Sequence, residues 1–216
     1  WQVPERFNIA TAICDRHAEA TPEAPAMIFE TQDGQVTAYS FSQLRRLANQ
    51  AANMFAGHGV APGDRVAILL GQTPETAIAH LGCFKMAALS IPMFTLFGED
   101  ALEYRLQNSG ARALVTDREN YPKVAAIRER CPDLEKVFLV DGQEHGAHDF
   151  WAELARASDQ AETAATAADD AAFISYTSGT TGAPKGALHA HRTMIGHMTG
   201  FVMLFDFYGF DGHLMW

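Results

Sequence analysis

The chain lacks the segments that direct a protein into or across a membrane. None of its apolar runs approaches the ~20 residues of a membrane-spanning helix. Residues 1–5, WQVPE, contain neither the basic segment nor the hydrophobic stretch of a secretory signal, and the chain does not begin with Met. We therefore expect a cytoplasmic protein without a membrane span.

Cysteine is scarce in this chain. The three cysteines, Cys14, Cys83 and Cys131, are odd in number and far apart, and none belongs to a C-x-x-C pair. This spacing indicates neither a cysteine-based zinc site nor a disulfide framework. We expect the cysteines to lie in the core of a protein that resides in a reducing compartment.

Positive charge is also scarce, because 16 Lys and Arg residues stand against 26 Asp and Glu residues. The formal net charge is −10 and the pI is about 5.3. Such a chain is repelled by nucleic acids and by anionic membrane surfaces, so we expect no nucleic-acid partner. The 216 residues, 48% of them hydrophobic, are enough for one large or two small domains with a sizeable core.

Two common nucleotide-binding glycine patterns are missing, although one stretch has the composition of a phosphate site. Residues 176–186 read YTSGTTGAPKG, with five hydroxyl groups, three glycines and one lysine. In a Walker loop glycine directly precedes the lysine, whereas here Ala183 and Pro184 separate Gly182 from Lys185. No G-x-G-x-x-G occurs in this stretch either.

Residues 176–186 nevertheless have what a polyphosphate site requires. They follow an apolar run, residues 171–175, that is typical of a buried strand. Glycines allow backbone N–H groups to converge on an anion, hydroxyl groups donate to phosphate oxygens, and Lys185 supplies a positive charge. We interpret the stretch as a phosphate loop. A flexible linker is the alternative, but a linker does not require Pro, Lys and Gly at fixed positions.

Strand and helix patterns alternate at short intervals. Residues 66–70, VAILL, form an unbroken apolar run, as expected for a parallel strand covered on both faces. Further strands are predicted at residues 89–92, 113–115 and 137–140, and helices beginning at Thr73-Pro74 and spanning 99–106 and 124–130. The pattern predicts an α/β fold: a doubly wound, mainly parallel sheet with helices on both faces and ligands at the carboxyl ends of the strands.

Other segments have local signatures. Asp33-Gly34 predicts a hairpin turn, and Ser40 with Gln43 forms a capping box that opens a helix. Residues 157–170, ASDQAETAATAADD, are a low-complexity acidic run without a large apolar residue. We expect this run to be an exposed connector inside one domain.

Residues 177–186 give a full match to the pattern (S/T)-S-G-T-T-G-x-P-K-G. This pattern resembles the phosphate-binding signature of the adenylate-forming (AMP-binding) superfamily, which includes acyl-CoA synthetases, luciferases and the adenylation domains of peptide synthetases. The likeness also covers residues 39–44, 59–67 and 85–92, although Ala88 stands where many members have glycine.

The two ends, residues 1–8 and 212–216, are similar to the acetyl- and medium-chain acyl-CoA synthetase branch. The resemblance implies the N-terminal portion of the large AMP-binding domain of such an enzyme. It implies that ATP and a carboxylic (fatty) acid give an acyl-adenylate and pyrophosphate, and that the acyl group then passes to coenzyme A. The implied ligands are ATP, Mg²⁺, coenzyme A as co-substrate and a small-molecule carboxylate, and the resemblance leaves a homodimer open.

The resemblance also assigns roles to individual residues. The residues implied to hold the ATP phosphates are Thr177, Ser178, Gly179, Thr180, Thr181, Gly182 and Lys185. Thr177 is also implied as a ligand of Mg²⁺. Lys185 and His191 are the implied catalytic residues: Lys185 stabilises charge on the leaving pyrophosphate, and His191 lies near the acyl-adenylate. A packing or helix-capping histidine is the alternative for His191.

Three features of the family are missing from residues 1–216. They are an aromatic-x-x-Thr-Glu motif whose Glu binds Mg²⁺, a ribose-binding Asp, and a C-terminal domain with the adenylation lysine, which Lys185 does not replace. We therefore expect no acyl-adenylate formation by these residues alone. Two alternatives stay open: an adenylating enzyme with an acceptor other than coenzyme A, and a noncatalytic nucleotide- or partner-binding module.

Overall fold

The structure, a computed structural model, describes residues 2–177, 183–198 and 200, and it begins with a helical segment and a hairpin. A π-helical turn (Thr11–Asp15) continues into α1 (Arg16–Ala20). Strand β1 (Pro25–Glu30) then pairs antiparallel with β2 (Val36–Ser40). The predicted turn joins these strands, and Gly34 has a φ of +83°, which glycine adopts without strain.

Helix α2 (Phe41–Gly57) opens with the predicted capping box. The Ser40 hydroxyl accepts a hydrogen bond from the N–H of Gln43 at 3.3 Å, and the Gln43 side chain accepts one from the N–H of Ser40 at 2.8 Å. Both backbone donors are thereby satisfied at the start of the helix. Leu44 and Phe55 of this helix are buried in the core.

Strand and helix alternate from Arg65 to Leu139, as predicted, whereas two pairs of consecutive strands without a helix between them occur after Leu139. The remaining elements are β3 (Arg65–Leu69), α3 (Pro74–Lys85), β4 (Leu89–Met93), α4 (Glu99–Ser109), β5 (Ala113–Thr116), α5 (Tyr121–Ile127) with a following 3-10 turn (Arg128–Arg130), β6 (Lys136–Leu139), β7 (His148–Asp149), α6 (Phe150–Arg156), β8 (Ala171–Thr177) and β9 (Lys185–Ala190). The strands β3 to β9 form one sheet in the order β7-β6-β5-β3-β4-β8-β9. Every neighbouring pair is parallel except β8–β9, which is antiparallel.

Helices cover both faces of this sheet, and the residues of β3 show how. Val66 and Ile68 belong to the core that also contains residues of α2, α3 and α6, whereas Ala67 and Leu69 belong to the core with α4 and α5. A strand buried on both sides has no reason to alternate apolar and polar residues, which explains the run VAILL. The predicted doubly wound, mainly parallel α/β fold is confirmed.

Residues 157–170 carry the chain from α6, near one edge of the sheet, to β8. Five strand spacings separate β7 from β8, which is about 24 Å. Most of these residues are exposed or half-buried, but Thr166 and Ala168 are buried. The N–H of Phe7 donates to the carbonyl of Thr166 at 3.1 Å, and the N–H of Ala168 donates to the carbonyl of Glu5 at 3.0 Å. The second half of the run is therefore attached to the N-terminal segment, whereas Asn49 and Asn53 of α2 donate to carbonyls of residues 158–160.

The structure differs from the predictions in its details. Strand β9 is not predicted from the sequence, and α5 begins at Tyr121 rather than Val124 because Pro122 fits the first turn of a helix. Thr73 stands at the N-cap of α3, but its side chain makes no capping hydrogen bond; the N–H of Thr76 donates to its carbonyl instead, at 3.1 Å.

The described part of the chain also shows the state of the cysteines and the length and polarity of the helices. The three cysteines are buried and unpaired, as predicted. Within the described residues, every helix is too short or too polar to cross a membrane.

Candidate functional site

The two ends of residues 176–186 belong to the β8–β9 hairpin. Tyr176 pairs with Gly186, and Thr177 pairs with Lys185. The stretch is therefore not a loop throughout, which corrects the interpretation from the sequence. Five of the predicted phosphate-binding residues lie outside the described part of the chain: Ser178, Gly179, Thr180, Thr181 and Gly182.

Thr177 and Lys185 lie side by side on one face of this hairpin. Residues directly opposite each other in an antiparallel pair project to the same face, with Cβ atoms roughly 4.5–5.5 Å apart. Both residues are exposed. The hairpin thus presents a hydroxyl group and an ammonium group together, next to the glycine- and hydroxyl-rich residues that join its strands.

Two tyrosine hydroxyls hold the hairpin on α4. Tyr176 Oη donates to Oδ1 of Asn108 at 2.7 Å, and Tyr104 Oη donates to the carbonyl of Pro184 at 3.0 Å. Burial raises the pKa of Tyr176, so its hydroxyl keeps the proton that it donates. Because Tyr176 lies on one strand and Pro184 directly precedes the other, both sides of the hairpin are anchored close to Thr177 and Lys185.

Arg105 of α4 extends this attachment. Its guanidinium carbon lies 3.9 Å from the centroid of the Phe97 ring and 5.5 Å from that of Tyr176. Burial lowers the pKa of Arg105. Contacts between a cation and an aromatic face are worth about 2 kcal/mol when water is excluded from them. The contact with Tyr176 joins α4 to β8, and the contact with Phe97 joins α4 to the segment that precedes it.

Gly186 leaves room for the side chains that support the hairpin. A Cβ at position 186 would lie 2.9 Å from Cγ2 of Ile174 and 3.3 Å from the ring of Tyr176. We therefore expect Gly186→Ala to lower the free energy of unfolding by about 1–3 kcal/mol, the usual cost of overpacking. The measurement is a thermal melt, with Gly71→Ala as the control because its added Cβ meets no described atom within 4 Å and the residue lies outside helices and strands. Equal melting temperatures for the two variants would contradict the close packing.

A cleft of about 400 Å³ opens beside the hairpin at the carboxyl ends of β3, β4 and β8. Ser175 and Tyr176 of β8, Met93 of β4 and Gly71 after β3 contribute to its wall. Phe94, which is 72% exposed, lies in the wall as well. Ligands of open α/β sheets bind at this edge. The cleft can take a small organic group, and its wall includes Tyr176, the residue directly before Thr177.

His191 lies inside the fold. Its side chain is 0% exposed, Nδ1 accepts a hydrogen bond from the N–H of Ile9 at 3.2 Å, and its ring meets that of Phe84 edge-on at 5.9 Å. Burial lowers the pKa of His191, although Asp170 opposes this shift. The imidazole is therefore neutral with its proton on Nε2, which has no partner among the described residues. These contacts favour the packing alternative for His191.

Two polar groupings escape reasoning from the sequence because their members are far apart in the chain. Lys85, which is 2% exposed, donates to Oδ1 of Asp15 at 2.5 Å, beside a cavity of about 700 Å³. His58, His148 and Glu153 come together near the other end of the sheet. No spacing in the sequence signals either group.

Comparison with known sequences places these features in a family context. A family model described as AMP-binding enzyme matches residues 14–212. Human mitochondrial acyl-coenzyme A synthetase ACSM5 is 35% identical over 198 aligned residues, covering 88% of this chain and 34% of that protein. The acetyl-coenzyme A synthetase of Bacillus subtilis is 32% identical over 199 aligned residues, with the same two shares.

Two solved structures are also similar to this chain. An acyl-CoA synthetase from Brucella canis superposes with a TM-score of 0.81 at 32% identity, over 91% of this chain and 35% of that one. The anthranilate CoA ligase AuaEII, in complex with anthranoyl-AMP, superposes with a TM-score of 0.78 at 28% identity, over 88% of this chain and 36% of that one. The chain spans about a third of the length of the relatives it matches.

Proposed function

We propose that this chain, which belongs to the AMP-binding enzyme family, binds the phosphates of ATP in an enzyme that activates a carboxylic acid. The observation that carries the proposal is the pairing of Thr177 with Lys185 at the base of the matched phosphate pattern. Both groups are exposed, and Tyr176, the residue directly before Thr177, lines a cleft at the carboxyl ends of the strands. The names of the relatives, acyl- and acetyl-coenzyme A synthetases, support an adenylate-forming reaction.

The reaction has two steps. A carboxylate oxygen of the acid attacks the α-phosphorus of ATP, and pyrophosphate leaves, which gives the acyl-adenylate. The thiolate of coenzyme A then attacks the acyl carbonyl carbon, AMP leaves, and the thioester forms; the thiol proton passes to solvent. The acid belongs to the fatty-acid class in this proposal, because acyl- and acetyl-coenzyme A synthetases are among the relatives.

The residues present fit a magnesium nucleotide. Lys185 provides a mobile positive charge for phosphate oxygens, and the Thr177 hydroxyl is a hard oxygen donor of the kind that Mg²⁺ prefers. Bound Mg²⁺ would neutralise phosphate charge. Backbone N–H groups and hydroxyls of residues 178–182 complete the proposed phosphate site. The work of these groups is electrostatic, since they stabilise the charge that develops as pyrophosphate leaves.

This proposal does not rely on the catalytic role that the family resemblance implies for His191. Contact with an acyl-adenylate requires that the ligand reach Nε2, because Nδ1 already accepts a hydrogen bond from Ile9. We retain His191 as a residue near the site and assign its described contacts to packing. A homodimer and a cytoplasmic location also remain proposals.

The proposed function is tested by carboxylate-dependent exchange of labelled pyrophosphate into ATP. We expect the full-length protein to catalyse exchange with at least one acid from a panel of acetate, octanoate and benzoate, without coenzyme A. Residues 1–216 alone should give no exchange, because they lack the three family features named above. AMP release that requires coenzyme A would identify the acceptor. Exchange by the full-length protein with none of the acids would contradict the proposal.

A further inference from the structure

Three side chains with metal-binding chemistry meet at the β7 edge of the sheet. His58 follows the last residue of α2, His148 lies on β7, and Glu153 lies in the first turn of α6. One possible ligand atom from each of the three lies within 4.8 Å of the other two. Nε2 of His58 is 3.0 Å from Oε2 of Glu153. Residues from three separate elements thus converge on one point.

The two imidazoles are held in place by the core beneath them. The ring of Phe138, a fully buried residue of β6, lies 5.0 Å from the His58 ring and 5.6 Å from the His148 ring. The side chains of His58 and Glu153 keep 18% and 19% of their surface exposed, so an ion can reach them from solvent. The cluster is therefore both supported and accessible.

Two imidazole nitrogens and one carboxylate oxygen form a donor set that suits zinc. Such three-ligand sites bind Zn²⁺ at roughly 2.0–2.2 Å and leave a fourth position for water. Tetrahedral ligand atoms are then about 3.3–3.6 Å apart, so small side-chain rotations can bring the present ligand atoms, which lie within 4.8 Å of one another, to that spacing. Mg²⁺ and Ca²⁺ prefer sets made only of oxygen atoms.

We propose that His58, His148 and Glu153 form a site for a divalent transition-metal ion, with Zn²⁺ as the ion that fits the donor set best. Bound metal would join the end of α2, strand β7 and helix α6. The site lies six strand spacings, about 29 Å, from β9, so it is separate from the proposed phosphate site. Whether this site binds a metal ion does not depend on whether the proposed function is correct.

Nearby cations limit the affinity of this site. Arg156 forms an ion pair with Glu153 in the same helix, and a metal ion must compete with it for that carboxylate. Arg128 and Lys136 lie close enough to His148 to act on it electrostatically. Removal of the Arg156 charge should therefore strengthen metal binding. If the ion pair of Arg156 with Glu153 only stabilised the helix, its loss would not strengthen metal binding.

The test is a calorimetric titration of the metal-free full-length protein with ZnCl₂. We expect one Zn²⁺ site that Glu153→Gln and His148→Gln each weaken by more than the roughly 10- to 100-fold that loss of an outer-shell partner costs. Glu153→Gln keeps the size of the side chain and a hydrogen-bonding group for His58. His145→Ala, which removes an exposed histidine three residues from His148, should bind as the wild type does.

Arg156→Gln gives a second and opposite readout, because it should tighten Zn²⁺ binding several-fold. A thermal melt in EDTA establishes that each variant is folded. Weaker binding in both ligand variants together with tighter binding in Arg156→Gln would support the site. Absence of Zn²⁺ binding, or binding that Glu153→Gln and His148→Gln leave unchanged, would overturn it.

Discussion

Replacement of Lys185 by alanine in the full-length protein is expected to lower the rate of acyl-adenylate formation by roughly 10- to 100-fold. The Lys185 side chain is exposed and lies opposite Thr177, so its charge is available to phosphate oxygens. Hydrogen bonds to charged groups are worth about 1.5–3 kcal/mol, and each 1.4 kcal/mol or so is tenfold in rate. Pyrophosphate exchange measures the effect.

The distribution of this loss distinguishes catalysis from structure. If the ammonium group follows the leaving pyrophosphate, most of the loss falls on kcat rather than KM. The thioester step, started from preformed acyl-adenylate and coenzyme A, should change little because pyrophosphate has already left. Lys136→Ala, which removes a lysine on β6, is the charge-matched control. Equal damage to both half-reactions, or a large fall in melting temperature, would mean that Lys185 is structural.

Replacement of Asp15 by alanine should cause the largest loss of stability among the single changes considered. Lys85 is 2% exposed, and its ammonium group donates to Asp15 at 2.5 Å. Removing one partner of a buried ion pair leaves an uncompensated charge and costs about 3–5 kcal/mol. At about 2–4 °C per kcal/mol for a chain of this size, the melting temperature should fall by roughly 6–20 °C.

Two control variants separate the loss of the buried ion pair from the loss of a carboxylate in general. Glu19→Ala removes an exposed carboxylate from the same cavity and should leave the melting temperature nearly unchanged. Adding Lys85→Met to Asp15→Ala removes the orphaned charge and should restore part of the loss. If Asp15→Ala and Glu19→Ala have the same melting temperature, the buried ion pair contributes little to stability and the prediction is wrong.

The parallel sheet is predictable from the sequence because its signals are local. An unbroken apolar run such as residues 66–70 can only be buried on both faces, and Pro74 or Gly34 restricts the backbone where it stands. Strand β9 is harder to predict, since KGALHA lacks the alternation and β-branched residues of a strand. Pairing with β8 creates it, which is a tertiary effect that overrides local preference.

The candidate site can be predicted from the sequence only where its functional groups lie in one continuous stretch of the chain. The hydroxyl-rich pattern around Lys185 signals phosphate binding from one stretch of sequence. The ion pair of Lys85 with Asp15 joins residues 70 positions apart, and His58 meets Glu153 across 95 positions. Such contacts depend on which elements the sheet brings together, so no spacing in the chain reveals them. The burial of His191 is of the same kind, because α3 and the N-terminal segment enclose it.

The most direct test of the adenylation chemistry follows the oxygen atoms of the acid. The full-length protein is incubated with ATP, coenzyme A and a carboxylic acid labelled with ¹⁸O in both carboxyl oxygens, and the released AMP is analysed by mass spectrometry. In the proposed reaction one carboxylate oxygen becomes the bridge to the α-phosphorus and stays with AMP when the thiol attacks. We therefore predict AMP that carries one ¹⁸O atom. Unlabelled AMP, or label found in inorganic phosphate instead, would contradict an acyl-adenylate intermediate.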